Sequence, residues 1–115
     1  MTNITSTRNR LRTFTGERDW GQFHFSKNLA SILAIEAVDL LEKVQLLTEA
    51  PCRQLPADVL DGVEDKVADV FPYLIRLSDK LGIKPIAAAR AKIAVNANRY
   101  SIDKAHGTRK KYNEF

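Results

Sequence analysis

Two stretches of this chain place acidic side chains at helical spacing. In Glu36-Ala-Val-Asp39-Leu-Leu-Glu42 the first two carboxylates are three residues apart. On a helix they project from one side, about 60° apart. Ile32, Ile35, Leu40 and Leu41 surround them, so Glu36 lies close to the apolar face, where an uncompensated carboxylate is costly. Further on, Asp61, Asp65 and Asp69 recur at four-residue spacing. Two helices that each present inward carboxylates can hold Mg²⁺, which takes oxygen ligands and keeps several waters. On spacing alone a solvated acidic face accounts for the same residues, Asp61 and Asp65 above all.

The elements that must position these groups read as helices. Residues 1–8 are polar and are expected to be a disordered tail. A short helix is expected over Asn9–Glu17, ended near Gly16, then a loop rich in aromatics, Trp20, Phe23, His24 and Phe25. Ser26 is the expected N-cap of a long helix reaching about Thr48, with no Gly or Pro to interrupt its apolar positions. A two-proline connector leads to a second long helix, about Ala57 to Leu81, stopped by Gly82. Pro72 lies inside that helix, removes the hydrogen bond to the residue 68 carbonyl and predicts a bend between Ala68 and Pro72. Pro85 suits the first turn of a third helix running to about Tyr100. A helical domain over 9–101 and a basic tail over 102–115 complete the expected organisation. Short connections and wide apolar faces imply an all-α, antiparallel four-helix bundle. The faces look wider than one small bundle can bury, so homo-oligomerisation is expected.

Bulk composition narrows the classes. The chain has 115 residues, 44% hydrophobic and 28% charged, which is the range of an ordinary globular domain. No apolar run approaches the roughly 20 residues that span a bilayer. The single cysteine, Cys52, allows no intrachain disulfide, and a reducing, cytoplasmic location with no secretory leader is the expectation. The net charge of +4 is concentrated at the ends, in Arg8, Arg10 and Arg12 and in Lys104, Arg109, Lys110 and Lys111. These residues lack interleaved aromatics or a recognisable reading helix, so a solvated surface is favoured over nucleic-acid binding.

Glu17-Arg-Asp-Trp-Gly-Gln-Phe-His24 with Lys27-Asn28-Leu29 resembles the N-terminal signature of the small MazG-like nucleoside-triphosphate pyrophosphohydrolases, the dCTP pyrophosphatase-like members. Glu36-Ala-Val-Asp39-Leu-Leu-Glu42 is similar to the E-x-x-E helix of that family. Ala68-Asp69-Val70 with Tyr73-Leu74 and Arg76-Leu77 resembles its E-x-x-D helix, and Lys92-x-x-x-Asn96-x-x-Arg99-Tyr100 its closing motif. The resemblance covers residues 10 to 112 and implies a bundle that assembles as a dimer or dimer of dimers. It implies Mg²⁺-dependent hydrolysis of nucleoside triphosphates to monophosphate and pyrophosphate, with Glu36, Asp39 and Asp69 as metal ligands and catalytic carboxylates. It also implies that Trp20 stacks on the base, that His24 and Tyr73 line the nucleotide pocket, and that Lys92, Asn96 and Arg99 lie near the phosphates.

Four positions depart from the family pattern. Lys66 stands where the second motif has a carboxylate, three residues before Asp69. Its ammonium is repulsive towards Mg²⁺ and can pair with Asp69, filling the space of a metal. Asp65 lies about 40° from Asp69 around the helix and is the candidate substitute ligand. Pro72 is the second departure. Asp39 is one methylene shorter than the usual glutamate, and Leu46 replaces a second pocket tryptophan. The alternative function implied is a catalytically weakened nucleotide-binding or oligomeric interaction module of the same fold.

Overall fold

A computed structural model describes residues 3–47 and 54–107. The connector around Cys52, and Arg109, Lys110 and Lys111, lie outside the described residues. Five α-helices and one 3₁₀ turn account for the ordered elements among the described residues, with no strand. They are α1 (Ile4–Glu17), the 3₁₀ turn (Trp20–Gln22), α2 (Ser26–Glu42), α3 (Ala57–Lys80), α4 (Pro85–Arg99) and α5 (Ile102–Ala105). None is long and apolar enough to cross a membrane.

The chain divides into two compact units, one up to Gly82 and one from Ile83. The expected single domain over 9–101 is thus split between α3 and α4. In the first unit α3 is the common support, because both α1 and α2 pack on it.

α1 begins five residues earlier than the sequence suggested, so the stretch from Ile4 to Arg8 is helix and not a disordered tail. The cause is local. Asn3 accepts a hydrogen bond from the Ser6 amide at 2.8 Å, and the Ser6 hydroxyl accepts one from the Asn3 amide at 3.2 Å. This is a capping box with serine in the place usual for glutamate or glutamine. Ile4, Arg8, Leu11 and Thr15 then share one face, and Thr15 at its end is buried.

Phe25, not Ser26, is the N-cap of α2, and no side chain caps that end. The regular helix ends at Glu42, six residues before the expected Thr48. From there the amides of Lys43, Val44 and Leu47 bond to carbonyls three residues back. α3 runs without interruption through Pro72, so the missing proline amide is tolerated inside a continuous helix. It closes at Leu81, followed by Gly82 at φ 68°, a left-handed stop that only glycine adopts without steric cost. Pro85 opens α4 as expected, and the short α5 occupies the start of the expected basic tail.

α2 and α3 are antiparallel: Lys43, past the end of α2, lays its stem 3.6 Å from where Gly62 would carry a side chain, while Glu36 lies against Lys66 further along α3. Leu29 and Ile75 are the buried hydrophobic residues among those described. Ile35, Val38 and Leu41 on α2, and Leu60, Val67, Phe71 and Leu74 on α3, remain exposed.

Candidate functional site

Helical phase brings the charged groups together. Leu29, Leu33, Glu36 and Leu40 lie on the inner face of α2, with Asp39 beside them. On α3 the inner positions include Val59, Val63, Lys66, Val70 and Tyr73. Lys66 therefore points between the helices, while Asp65, one position earlier, is exposed on the outer side. The residue that faces the other carboxylates is Lys66, and Asp65, the candidate substitute ligand, is exposed beside it.

The Lys66 ammonium sits 3.8 Å from Glu36 Oε2, 3.7 Å from Asp39 Oδ2 and 3.4 Å from Asp69 Oδ2. Glu36 Oε2 is buried and accepts no hydrogen bond, so the ammonium is the positive charge nearest to hand that offsets its desolvation. Burial opposes the charge on Lys66. The hydrogen bond to Asp69 and the fields of Glu36, Asp39 and Asp69 outweigh it, and the lysine pKa lies above its ordinary value.

Whether these residues fit a Mg²⁺ ion can be tested on the same geometry. Mg²⁺ requires oxygens at about 2.0–2.1 Å in near-octahedral array. Here the point on which the three carboxylates converge is filled by the Lys66 nitrogen. Among the described residues no group of three or more His, Cys, Asp or Glu side chains is gathered to hold a metal ion. With Lys66 in place, the residues do not fit a bound Mg²⁺ ion.

Aromatic side chains gather beside the cluster. Trp20 packs edge-on against Phe14, with ring centroids 5.5 Å apart, and the Arg18 guanidinium lies over the Phe14 ring, 3.7 Å from its centroid. Trp20 and His24 have centroids 6.2 Å apart, and His24 and Tyr73 6.4 Å. The structure therefore brings Trp20, His24 and Tyr73 into one row. The loop that does so bends at Asp19, at φ 52°, held by Gln22, which donates to the Asp19 carbonyl and carboxylate. Trp20 is 40% exposed, whereas His24 is buried with Nδ1 lacking a hydrogen-bond partner. Burial, then the charges of Arg76 and Lys80, push the His24 pKa below its ordinary value.

The sequence expectations hold Arg76 only as part of the second motif, with no role, and do not single out Asp79. Arg76 is buried, with Nε lacking a hydrogen-bond partner, and its guanidinium lies 3.7 Å from Asp79. Asp79 in turn receives two hydrogen bonds from Arg12, at 2.8 and 2.5 Å. Arg76 follows Asp69 by seven residues, which places both on one side of α3, and that spacing was available in the sequence. The pairing of Arg12 with Asp79 had no local signal.

In the second unit, Lys92, Asn96 and Arg99 fall at i, i+4 and i+7 on α4 and share one exposed face.

Comparison with known proteins places this arrangement in a family. A family model described as MazG-like matches residues 31–115. The human protein dCTP pyrophosphatase 1 is 31% identical over 104 residues, and its mouse counterpart 30% over 103. Each match takes in 88% of this chain, which spans 61% of the length of those relatives. The crystal structure of a pyrophosphatase from Archaeoglobus fulgidus superposes with a TM-score of 0.77 at 32% identity, covering 88% of this chain and 94% of that one. An all-helical unit with paired acidic helices, matched over most of its length in sequence and in backbone, belongs to the MazG-like family.

Proposed function

We propose that the chain is a cytoplasmic nucleoside-triphosphate pyrophosphohydrolase that splits its substrate between the α and β phosphates, giving a monophosphate and pyrophosphate. The observation that carries the reading is the convergence of Glu36, Asp39 and Asp69, from two helices, on one cationic point. The triphosphate enters as its Mg²⁺ complex, the ion belonging to the substrate. Glu36 would be the carboxylate that takes a proton from the attacking water. As that water's oxygen bonds to the α-phosphorus, the bond to the bridging oxygen breaks and pyrophosphate leaves with the electron pair.

Trp20 would stack on the base, with His24 and Tyr73 lining the pocket; the half exposure of Trp20 and its row with those two rings support this. Lys92, Asn96 and Arg99 present donors along one helix face, a spacing suited to a polyphosphate. The exposed stripes on α2 and α3 support assembly as a homo-dimer or homo-tetramer.

A panel of ribo- and deoxynucleoside triphosphates with Mg²⁺ should release pyrophosphate, and Glu36→Gln should abolish that release. Silence across the panel with a folded protein overturns the reading. A second reading, a weakened relative that binds nucleotides without turnover, is favoured by Lys66 at the centre of the carboxylates. Calorimetry showing nucleotide binding without pyrophosphate release would select it.

A further inference from the structure

We infer that Lys66 is a built-in cation: its ammonium takes the place of a divalent ion at the carboxylate cluster, so the free protein joins α2 to α3 there without binding metal. An ammonium carries three N–H donors, and three carboxylates converge on this one. One oxygen from each of Glu36, Asp39 and Asp69 approaches it within ion-pair distance, Asp69 accepts a hydrogen bond from it at 3.4 Å, and Glu36 Oε2 has no hydrogen-bond partner. The stem is anchored on the inner face of α3, so the charge cannot diffuse away as an ion does. One turn earlier, the Lys43 stem lies against Gly62, so a second lysine covers the adjoining part of the helix pair.

The charge balance points the same way. Three carboxylates and Lys66 sum to −2, whereas a fourth carboxylate at position 66 would make the cluster −4. The single substitution Lys66→Glu therefore removes the internal cation and supplies the missing oxygen ligand together. This inference concerns the same carboxylates as the proposed reaction but does not depend on turnover.

The test uses the full chain without nucleotide, with Mn²⁺ as the probe, read by loss of the free-ion electron paramagnetic resonance signal. The unsubstituted protein should leave Mn²⁺ free at this cluster and melt at one temperature in Mg²⁺ or in a chelator. Lys66→Glu should bind Mn²⁺ at least about tenfold more tightly and melt higher with Mg²⁺ than with chelator. Lys66→Met keeps most of the stem without charge, and should likewise become dependent on Mg²⁺ for its melting temperature. Stoichiometric Mn²⁺ binding by the unsubstituted protein that Glu36→Gln removes, or a fall in its melting temperature with chelator, overturns the inference. Those two measurements need no variant at position 66, so a misfolded variant leaves the test intact. A silent hydrolysis panel would sink the proposed reaction and leave this result untouched.

Discussion

Replacing Leu29 by alanine tests what holds α2 in register with α3. Leu29 is wholly buried, at 0% exposure, in the first turn of α2. It precedes Glu36 by seven residues, so the two lie within about 20° on the same helical face. Truncation removes the side chain that seats that face and leaves a cavity, at a cost of about 3 kcal/mol. For a unit of this size that corresponds to a fall in melting temperature of roughly 12–24 °C. Ile35, 61% exposed on the other side of the helix, is the matched control, and its truncation in a lone chain should change stability by under about 0.5 kcal/mol. Urea unfolding followed by circular dichroism, repeated across protein concentrations, reads both. A Leu29→Ala cost below about 1 kcal/mol would refute the core described here. An Ile35→Ala cost equal to that of Leu29→Ala, and dependent on concentration, would show that face covered by a second copy.

Other outcomes follow from the same structure. Asn3→Ala should cost about 1 kcal/mol and fray α1, seen as loss of amide exchange protection at Ser6 and Thr7. The pKa of His24 is lowered from 6.5, so the unfolded chain takes up its proton first as pH falls. Stability should therefore decline below about pH 6.5, and His24→Gln should flatten that decline in a pH series of melts. The pKa of Asp79 is lowered from 3.8, chiefly by its hydrogen bonds from Arg12, so its contribution is present above that value and lost as pH falls through the folded pKa. Asp79→Asn should be less stable near neutrality and lose less on acidification, measured by acid titration of the circular dichroism signal.

What the sequence disclosed depended on how local the signal was. α2, α3 and α4 were readable because apolar spacing, Pro85 and Gly82 act within a few residues. Lys66 was conspicuous because it stands where the motif of the resembling family has a carboxylate, and its pairing with Asp69 needed only a three-residue offset. Choosing between Asp65 and Lys66 required the phase of α3 against α2, which packing sets and spacing alone does not. The start of α1 was missed because serine stands in its capping box where an acidic or amide side chain is the usual sign. Arg76 belongs to the motif that resembles the family, but its burial had no sequence signal, since an arginine amid Leu74, Ile75 and Leu77 reads as a surface position.

The bond between Arg12 and Asp79 joins residues 67 positions apart. On a ribosome adding about 5–20 residues per second, Arg12 is made roughly 3 to 13 seconds before its partner exists. Through that interval α1 has its capping box but no completed α3 to lie on, and a helix of 14 residues is marginal alone in water. Completion of the first unit during synthesis is therefore timed by the last turn of α3, and a truncation before Asp79 would release α1 along with the end of the chain.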